Sequence, residues 1–278
     1  HSKMLDHEGN IWVGGQMNPK SKYVKKYQPV GLDTYMDDSI MKINTDGKIL
    51  YEKSVTEILI ENKIVPEKNF ILNSIKHDIE DPVHLNDIEP ALSDTKYWKK
   101  GDVFINNLHF SAIMHYRPST NKLINYISGP FTSQHDVDII SDKEISIFNN
   151  NIYFYKGERI DNARIHFVGV PDIGNIEILI YNFETKKFNK KFSKGINENN
   201  VRTSVAGLSE ILDDGSLFIE ETQSGRILFF DKKGELILEY INKAKNGTNY
   251  GLGFSRVLKM NNKLRNQIKL IKSKSCTN

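Results

Sequence analysis

The most constraining feature of this chain is a repeated pair of hairpins. The first half of the unit is a short apolar run, a polar turn and a second run. It occurs as Lys3-Met4-Leu5, Asp6 to Asn10, Ile11-Trp12-Val13, and again as Asp138-Ile139-Ile140, a turn at Ser141-Asp142, and Ile145 to Phe148. A third copy is Glu210-Ile211-Leu212, Asp213-Asp214-Gly215, Leu217-Phe218-Ile219, and a looser one starts at Asp87-Ile88 and resumes at Asp102 to Ile105 after an insertion with Tyr97 and Trp98. The second half is Ile40 to Ile43 with Lys48 to Tyr51, Ile113 to Tyr116 with Leu123 to Tyr126, Ile178 to Tyr181 with Lys187-Phe188, and Ile227 to Phe230 with Leu236 to Tyr240. β-branched and aromatic runs separated by Asp, Asn, Gly or Pro turns are hairpins. Two hairpins per unit make a four-stranded sheet, and sheets repeated at this period predict an all-β fold, a β-propeller of four-stranded blades.

The repeat sets the domain plan. Residues 1–262 are expected to form the propeller, with 263–278 as a basic, polar tail that frays or forms a short helix. Insertions at 15–39, 52–83 and 150–175 read as loops on one face; 55–64 and 67–76 have room for a little helix, with Glu57-Ile58-Leu59-Ile60 ambiguous by period. After four units, Ser255-Arg256-Val257-Leu258 reads as the first strand of a fifth. An open edge in a ring is an aggregation hazard, so the chain is expected to lack N-terminal sequence.

Composition narrows the functional classes. Net charge is +3, from 38 basic and 35 acidic residues, which gives no basic footprint for nucleic acid. No apolar run approaches the ~20 residues of a transmembrane helix. The single cysteine, Cys276, excludes an internal disulfide and a multi-cysteine metal site.

One register collects histidines. His1, His84 and His135 each lie four residues before the matching strand position at Leu5, Ile88 and Ile139; Gly207 and Gly253 fill the slot later. The innermost strands of a propeller line its channel, so these imidazoles should meet at one end of one pore. There they can act as acid, base, nucleophile or metal ligand. The bland alternative is that they only hydrogen-bond the channel backbone. A three-histidine zinc site is a weaker alternative, since no HxxxH-type pair accompanies them; no metal and no cofactor is expected. The ends of the second strands add Asn106, Asn107 and His109, then Asn149 to Asn151, then Glu220 and Glu221, with Arg202 ahead of the fourth unit. Carboxamides and an arginine beside imidazoles suit an oxyanion, whereas the two glutamates oppose one unless paired with Arg202 or Arg226. His7, His77, His115 and His166 read as structural.

These residues resemble the bacterial arylsulfotransferase family, in its small divergent branch. The resemblance runs through Val83-His84-Leu85-Asn86-Asp87-Ile88, Gly101 to Phe104, His109-Phe110-Ser111, Gln134-His135-Asp136, Ile147 to Asn150 and Glu220 to Arg226, across about residues 80–260. It implies a six-bladed propeller, export to the periplasm or cell exterior, and transfer of a sulfuryl group from an aryl sulfate to a phenol through a sulfo-histidine. On this basis His84 and His135 match the channel histidines that hold the sulfuryl group, with His1, Asn86, Asn107, His109, Asn149, Arg202 and Glu221 as substrate-binding candidates. The family's nucleophilic histidine would fall near Asn199-Asn200-Val201-Arg202, and its arginine before the His-x-Ser pair is Leu108 here. Two readings follow. One is a sulfotransferase-like enzyme using His84 or His135. The other is a non-catalytic propeller that binds an anionic or aromatic ligand, or a protein.

Overall fold

Alternation within strands explains how the sheets stack. In the second sheet Val103 to Asn107 are all buried, so the strand is covered on both faces. Successive side chains point to opposite faces, and each face meets a different neighbour. Ile105 packs with Trp12, Ile40, Ile88, Met114 and Tyr116. Its neighbour Phe104 packs the other way, with Ile113, Val137, Ile145, Ile147 and Leu179. A third layer joins Phe148, Ile178 and Ile180 to Leu217, Ile219, Leu228 and Phe230. Each fully buried Ile, Leu or Phe contributes about 1.5–3 kcal/mol of transfer free energy, so the inter-sheet layers hold the fold together.

The computed structural model describes residues 3–28, 30–66, 80–152, 154–159, 165–169, 174–257 and 266–270. Four antiparallel four-stranded sheets follow one another along the chain. The first is β1 (Lys3–Leu5), β2 (Ile11–Gln16), β3 (Asp38–Ile43) and β4 (Ile49–Ser54). The second is β5 (Leu85–Pro90), β6 (Val103–Asn107), β7 (Ala112–Arg117) and β8 (Lys122–Ser128). The third has the order β9 (Asp136–Ser141), β10 (Glu144–Asn149), β13 (Glu177–Asn182), β14 (Lys187–Lys191), with the hairpin β11 (Phe154–Arg159) and β12 (Ile165–Gly169) inserted between its halves. The fourth is β15 (Leu208–Ile211), β16 (Leu217–Glu221), β17 (Arg226–Phe230) and β18 (Leu236–Ile241). The first strands adjoin in series, β1 to β5, β5 to β9 and β9 to β15.

The insertions are not plain loops. The 15–39 segment completes β2 and carries α1 (Lys22–Tyr27). The 52–83 segment completes β4 and continues into α2 (Val55–Glu61), capped by the Ser54 hydroxyl accepting from the Glu57 N–H at 3.2 Å. Val55, Ile58 and Leu59 recur at helical spacing and are buried, which makes 55–64 helical from Val55 to Glu61. Residues 67–76 lie outside the described residues. The 150–175 segment holds the extra hairpin. A third helix, α3 (Ser193–Glu198), was not foreseen. In the tail, 266–270 are helical, and Cys276 lies outside the described residues.

A repeated latch ties the second sheet to the third, the third to the fourth, and the fourth to the segment that follows it. A carboxylate on one first strand accepts a backbone N–H from the following one. Asp87 Oδ2 takes Val137 N at 3.0 Å, Asp136 Oδ2 takes Ser209 N at 3.0 Å, and Glu210 Oε2 takes Val257 N at 3.2 Å. Residues 255–257 therefore occupy the next first-strand position without being a ladder-paired strand. By this latch Val257 matches Ser209 and Val137, so the fifth register is two residues away from the sequence alignment.

Candidate active site

The loops that lead into the first strands share one end of the sheets with the ends of the second strands. There the backbone turns sharply. His84 sits in the left-handed region at φ 54°, immediately before β5. Its turn is fixed by Asp81, whose Oδ1 accepts the His84 N–H at 2.9 Å and whose Oδ2 accepts the ring Nδ1–H at 2.5 Å. The Asp81 carbonyl accepts His109 Nδ1–H at 2.7 Å. The His84 and His109 rings lie 5.2 Å apart. Backbone bonds from Leu108 N to His84 O and from His109 N to Val83 O clamp the two loops together.

The electrostatics follow from that packing. Burial raises the Asp81 carboxyl, but the hydrogen bond and charge of His84 outweigh it, and the net shift is downward. Asp38 Oδ2 accepts the Leu85 N–H at 2.8 Å. Burial, then the charge of Asp81, pushes Asp38 up to about 7. So an ionised carboxylate backs the His84 imidazole, and a second, held well above the usual carboxylate range, supports the strand behind it. Asp81 and Asp38 escaped the sequence reading because neither lies in the repeat register; the Asp-x-x-His spacing of a local turn was the available signal.

His135 is held differently. Its Nδ1–H faces Ser133 O at 2.9 Å and Asn150 Oδ1 at 2.8 Å, and its Nε2 accepts the Ala206 N–H at 3.0 Å. Burial, reinforced by the nearby His84 against the hydrogen bonds of Asn150 and Ser133, lowers its pKa to about 4, so the ring is neutral at neutral pH. Both nitrogens are engaged by protein, and the ring bridges the third sheet to the loop before β15.

The asparagines act mainly as clasps between sheets. Asn86 Nδ2 donates to Gln134 O at 2.7 Å, and Gln134 Nε2 donates to Asn107 O at 2.9 Å. Asn150 Nδ2 donates to Thr203 O at 3.0 Å and Ala206 O at 2.8 Å. Asn149 Oδ1 accepts Thr132 N at 2.8 Å, and its amide donates to Glu177. The side chains of Asn106 and Asn107 are fully buried with no hydrogen-bond partner among the described residues.

Arg202 and Glu221 sit apart from the imidazoles, in a cleft with Asn200, Ser224 and Asn249. Arg202 Nε donates to Asn175 Oδ1 at 2.9 Å. Glu221 is paired with Arg226 at 2.5 and 3.0 Å and also accepts the Arg202 N–H. Arg226, not Arg202, is the glutamate's counter-ion. His1 lies outside the described residues. Among the described residues no three His, Cys, Asp or Glu side chains are grouped to hold a metal ion, and no helix is long and apolar enough to cross a membrane.

Sequence reasoning also missed a buried charge cluster on the first strands. Asp87, Glu89, Asp136 and Asp138 surround Arg256, which bonds Asp136 at 3.1 Å and approaches Asp138 at 3.7 Å. Burial drives all four carboxyls upward, Asp87 to about 7. The signal was present as acids two apart on otherwise apolar strands.

Four serial antiparallel four-stranded sheets, with His84 and His109 in loops at one end, make this a mostly β protein. The family model for arylsulfotransferase (ASST) matches residues 1–243, and the chain belongs to that family. A search of curated proteins gives no significant match. Among solved structures, a protein of unknown function from Bacteroides caccae is similar at 13% identity and TM-score 0.45, over 85% of this chain and 65% of that one. Virginiamycin B lyase from Staphylococcus aureus is similar at 13% identity and TM-score 0.37, over 86% and 68%. A luciferin-regenerating enzyme is similar at 14% identity and TM-score 0.39, over 86% and 75%. The chain thus spans about two thirds of the length of the first two.

Proposed function

We propose that this protein transfers a sulfuryl group from an aryl sulfate to a phenolic acceptor at the His84 site. The observation that carries the reading is the 2.5 Å Asp81–His84 pair with His109 beside it. Membership of the arylsulfotransferase family supports the reaction class. His84 takes the chemical role because the Asp81 carboxylate holds its Nδ1–H and steadies an imidazolium, whereas His135 has no carboxylate behind it among its hydrogen-bond partners Ser133, Asn150 and Ala206. With Nδ1–H committed to Asp81, His84 reacts through Nε2. It accepts the phenol proton as that oxygen attacks sulfur; the bond from sulfur to the donor oxygen breaks, and its electron pair leaves on the aryl oxide. Asp81 stabilises the imidazolium that forms, and the departing aryl oxide then takes that proton from His84, which returns the imidazole to its neutral form. A direct displacement suits a chain with Asn199 to Arg202 where the family places a nucleophilic histidine. His135, Asn86 and Asn107 position the loops, and Asn149 supports the third sheet from within.

In this reading the four sheets are consecutive blades of a propeller spanning 1–262, followed by the 263–278 tail. The serial contacts of β1, β5, β9 and β15 support it. A non-catalytic binder is the second reading, favoured by the engagement of His135 and the asparagines in inter-sheet clasps.

The test is release of p-nitrophenol from p-nitrophenyl sulfate with phenol present. Loss of a positioned base costs roughly 10²–10⁴-fold, so His84→Ala should lose turnover by that factor and Asp81→Asn by less. No turnover by wild type, with sulfate esters still bound, would establish the binder. Turnover unchanged in His84→Ala would refute the assignment.

A further inference from the structure

The insertion with Tyr97 and Trp98 takes no part in the His84 chemistry, yet it is firmly held. Its ends are tied by Ala91 N to Asp102 O at 2.8 Å and by Gly101 N to Ala91 O at 2.9 Å. Between them the Thr95 hydroxyl accepts the Tyr97 and Trp98 N–H groups at 3.0 and 3.2 Å, and the Asp94 carboxylate accepts the Lys100 N–H at 2.8 Å. Trp98 is buried in the layer between the second and third sheets, edge-on to Phe104 and Phe183. The insertion thereby forms one side of a cleft of about 270 Å³, whose other side is the end of β9 and the turn after it.

The lining has a definite chemistry. Pro90, Leu92, Ile139 and Ile140 supply apolar surface, and Leu92 is 56% exposed. The ionisable groups are Glu89 and Asp142; no Lys, Arg or His among the described residues lines the cleft. Glu89 is buried, its carboxyl accepts the Ile139 N–H, and its Oε2 has no hydrogen-bond partner among the described residues. The nearby Arg256 guanidinium bonds Asp136 instead. Burial, then the charge of Asp87, holds the Glu89 carboxyl well above the usual carboxylate range. A positive charge beside it relieves that repulsion and gives the orphaned oxygen a donor. Apolar walls around a carboxyl suit an organic cation, and among the described residues no three acidic or imidazole side chains are grouped for a metal ion.

We propose that this cleft binds a small organic ammonium ion, its amine at the Glu89 carboxyl and its apolar body against Leu92, Ile139 and Ile140. The volume is at the small end for ligand sites and suits a molecule of about ten non-hydrogen atoms. β5 runs six residues from the His84 turn to Pro90, roughly 20 Å at ~3.3 Å per residue. The cleft is thus at the far end of the sheets from His84, and the proposal stands whether or not the protein transfers sulfate.

Isothermal titration calorimetry with 2-phenylethylammonium and its neutral analogue 2-phenylethanol tests it. The ammonium ion should bind with a Kd of about 1 mM or tighter. The alcohol should bind at least roughly tenfold more weakly, for want of a charge-assisted hydrogen bond. Glu89→Gln, which keeps an acceptor for the Ile139 N–H, should abolish that preference. Leu92→Arg, at an exposed position, sets a bulky cation in the cleft and should abolish binding of the amine; it decides the matter if the glutamine variant fails to fold. No binding of the amine, equal binding of amine and alcohol, or a preference that survives either substitution in a folded chain overturns the proposal.

Discussion

Replacing Asp102 with alanine should be among the most damaging single changes outside the hydrophobic layers. Its carboxylate is almost fully buried at the start of β6 and receives four donors. Arg117 gives a two-pronged pair at 2.7 and 2.7 Å, His115 gives Nε2–H at 2.8 Å, and the Lys99 N–H lies at 2.9 Å. His115 in turn accepts from Asn125 at 2.9 Å and stacks on Phe104 with centroids 4.8 Å apart. Removing the carboxylate leaves a guanidinium and a buried imidazole N–H unpaired, a loss of about 3–5 kcal/mol for a broken buried pair. For a chain of this size that corresponds to a fall of roughly 10 °C in melting temperature. Burial raises the Asp102 carboxyl, but Arg117 and His115 outweigh it and hold it well below the usual carboxylate range. A depressed value means that the stabilisation is present above the unfolded-state pKa of about 3.9 and is lost as pH falls towards the folded value. The assay is thermal unfolding of wild type and Asp102→Ala between pH 2 and 8. The two melting curves should be far apart at pH 7 and converge in strong acid. A variant within 2 °C of wild type at pH 7, about the effect of under 1 kcal/mol, would refute the reasoning.

The first-strand acids give the opposite sign. Burial raises Asp138 far above its ordinary value with only Arg256 as counter-charge, so its favourable contribution is complete in acid and disappears as pH rises through the folded value. Asp138→Asn should therefore melt above wild type at pH 8 by a few degrees, the gap closing below about pH 4, as calorimetry across that range will show. Gly195→Ala should destabilise by about 1–3 kcal/mol in urea unfolding, because its Cβ would stand 2.0 Å from the Gly234 carbonyl oxygen. His135→Ala should speed hydrogen exchange of the Ala206 amide by roughly fivefold or more, the loss of one hydrogen bond worth about 1 kcal/mol; unchanged protection would mean that the imidazole does not hold that loop.

The repeat was legible because it is a backbone property. Runs such as Ile113 to Tyr116 alternate between two apolar layers, and the turn residues at Asp213 to Gly215 permit only a tight reversal. The 52–83 segment was less legible, since Glu57 to Ile60 suits either period and tertiary burial of Ile58 and Leu59 decides it. At the candidate site, the placement of His84 and His135 just ahead of β5 and β9 followed from register. Their separate chemistry did not, because it depends on Asp81, Asn150 and Ala206, which reach the rings through turns and neighbouring sheets. Arg202 illustrates the same limit: its place in the chain was clear, but the guanidinium that pairs with Glu221 is that of Arg226, while Arg202 reaches the glutamate through its backbone N–H.

The carboxylate latches have a direction. Asp87 waits for an amide 50 residues later, and Asp136 for one 73 residues later. A sheet already formed thus holds the docking group for one still being synthesised, and never the reverse. A chain emerging from the ribosome would meet each acceptor in place before its donor arrives, so assembly has a built-in order, and damage to an early sheet strands every later one.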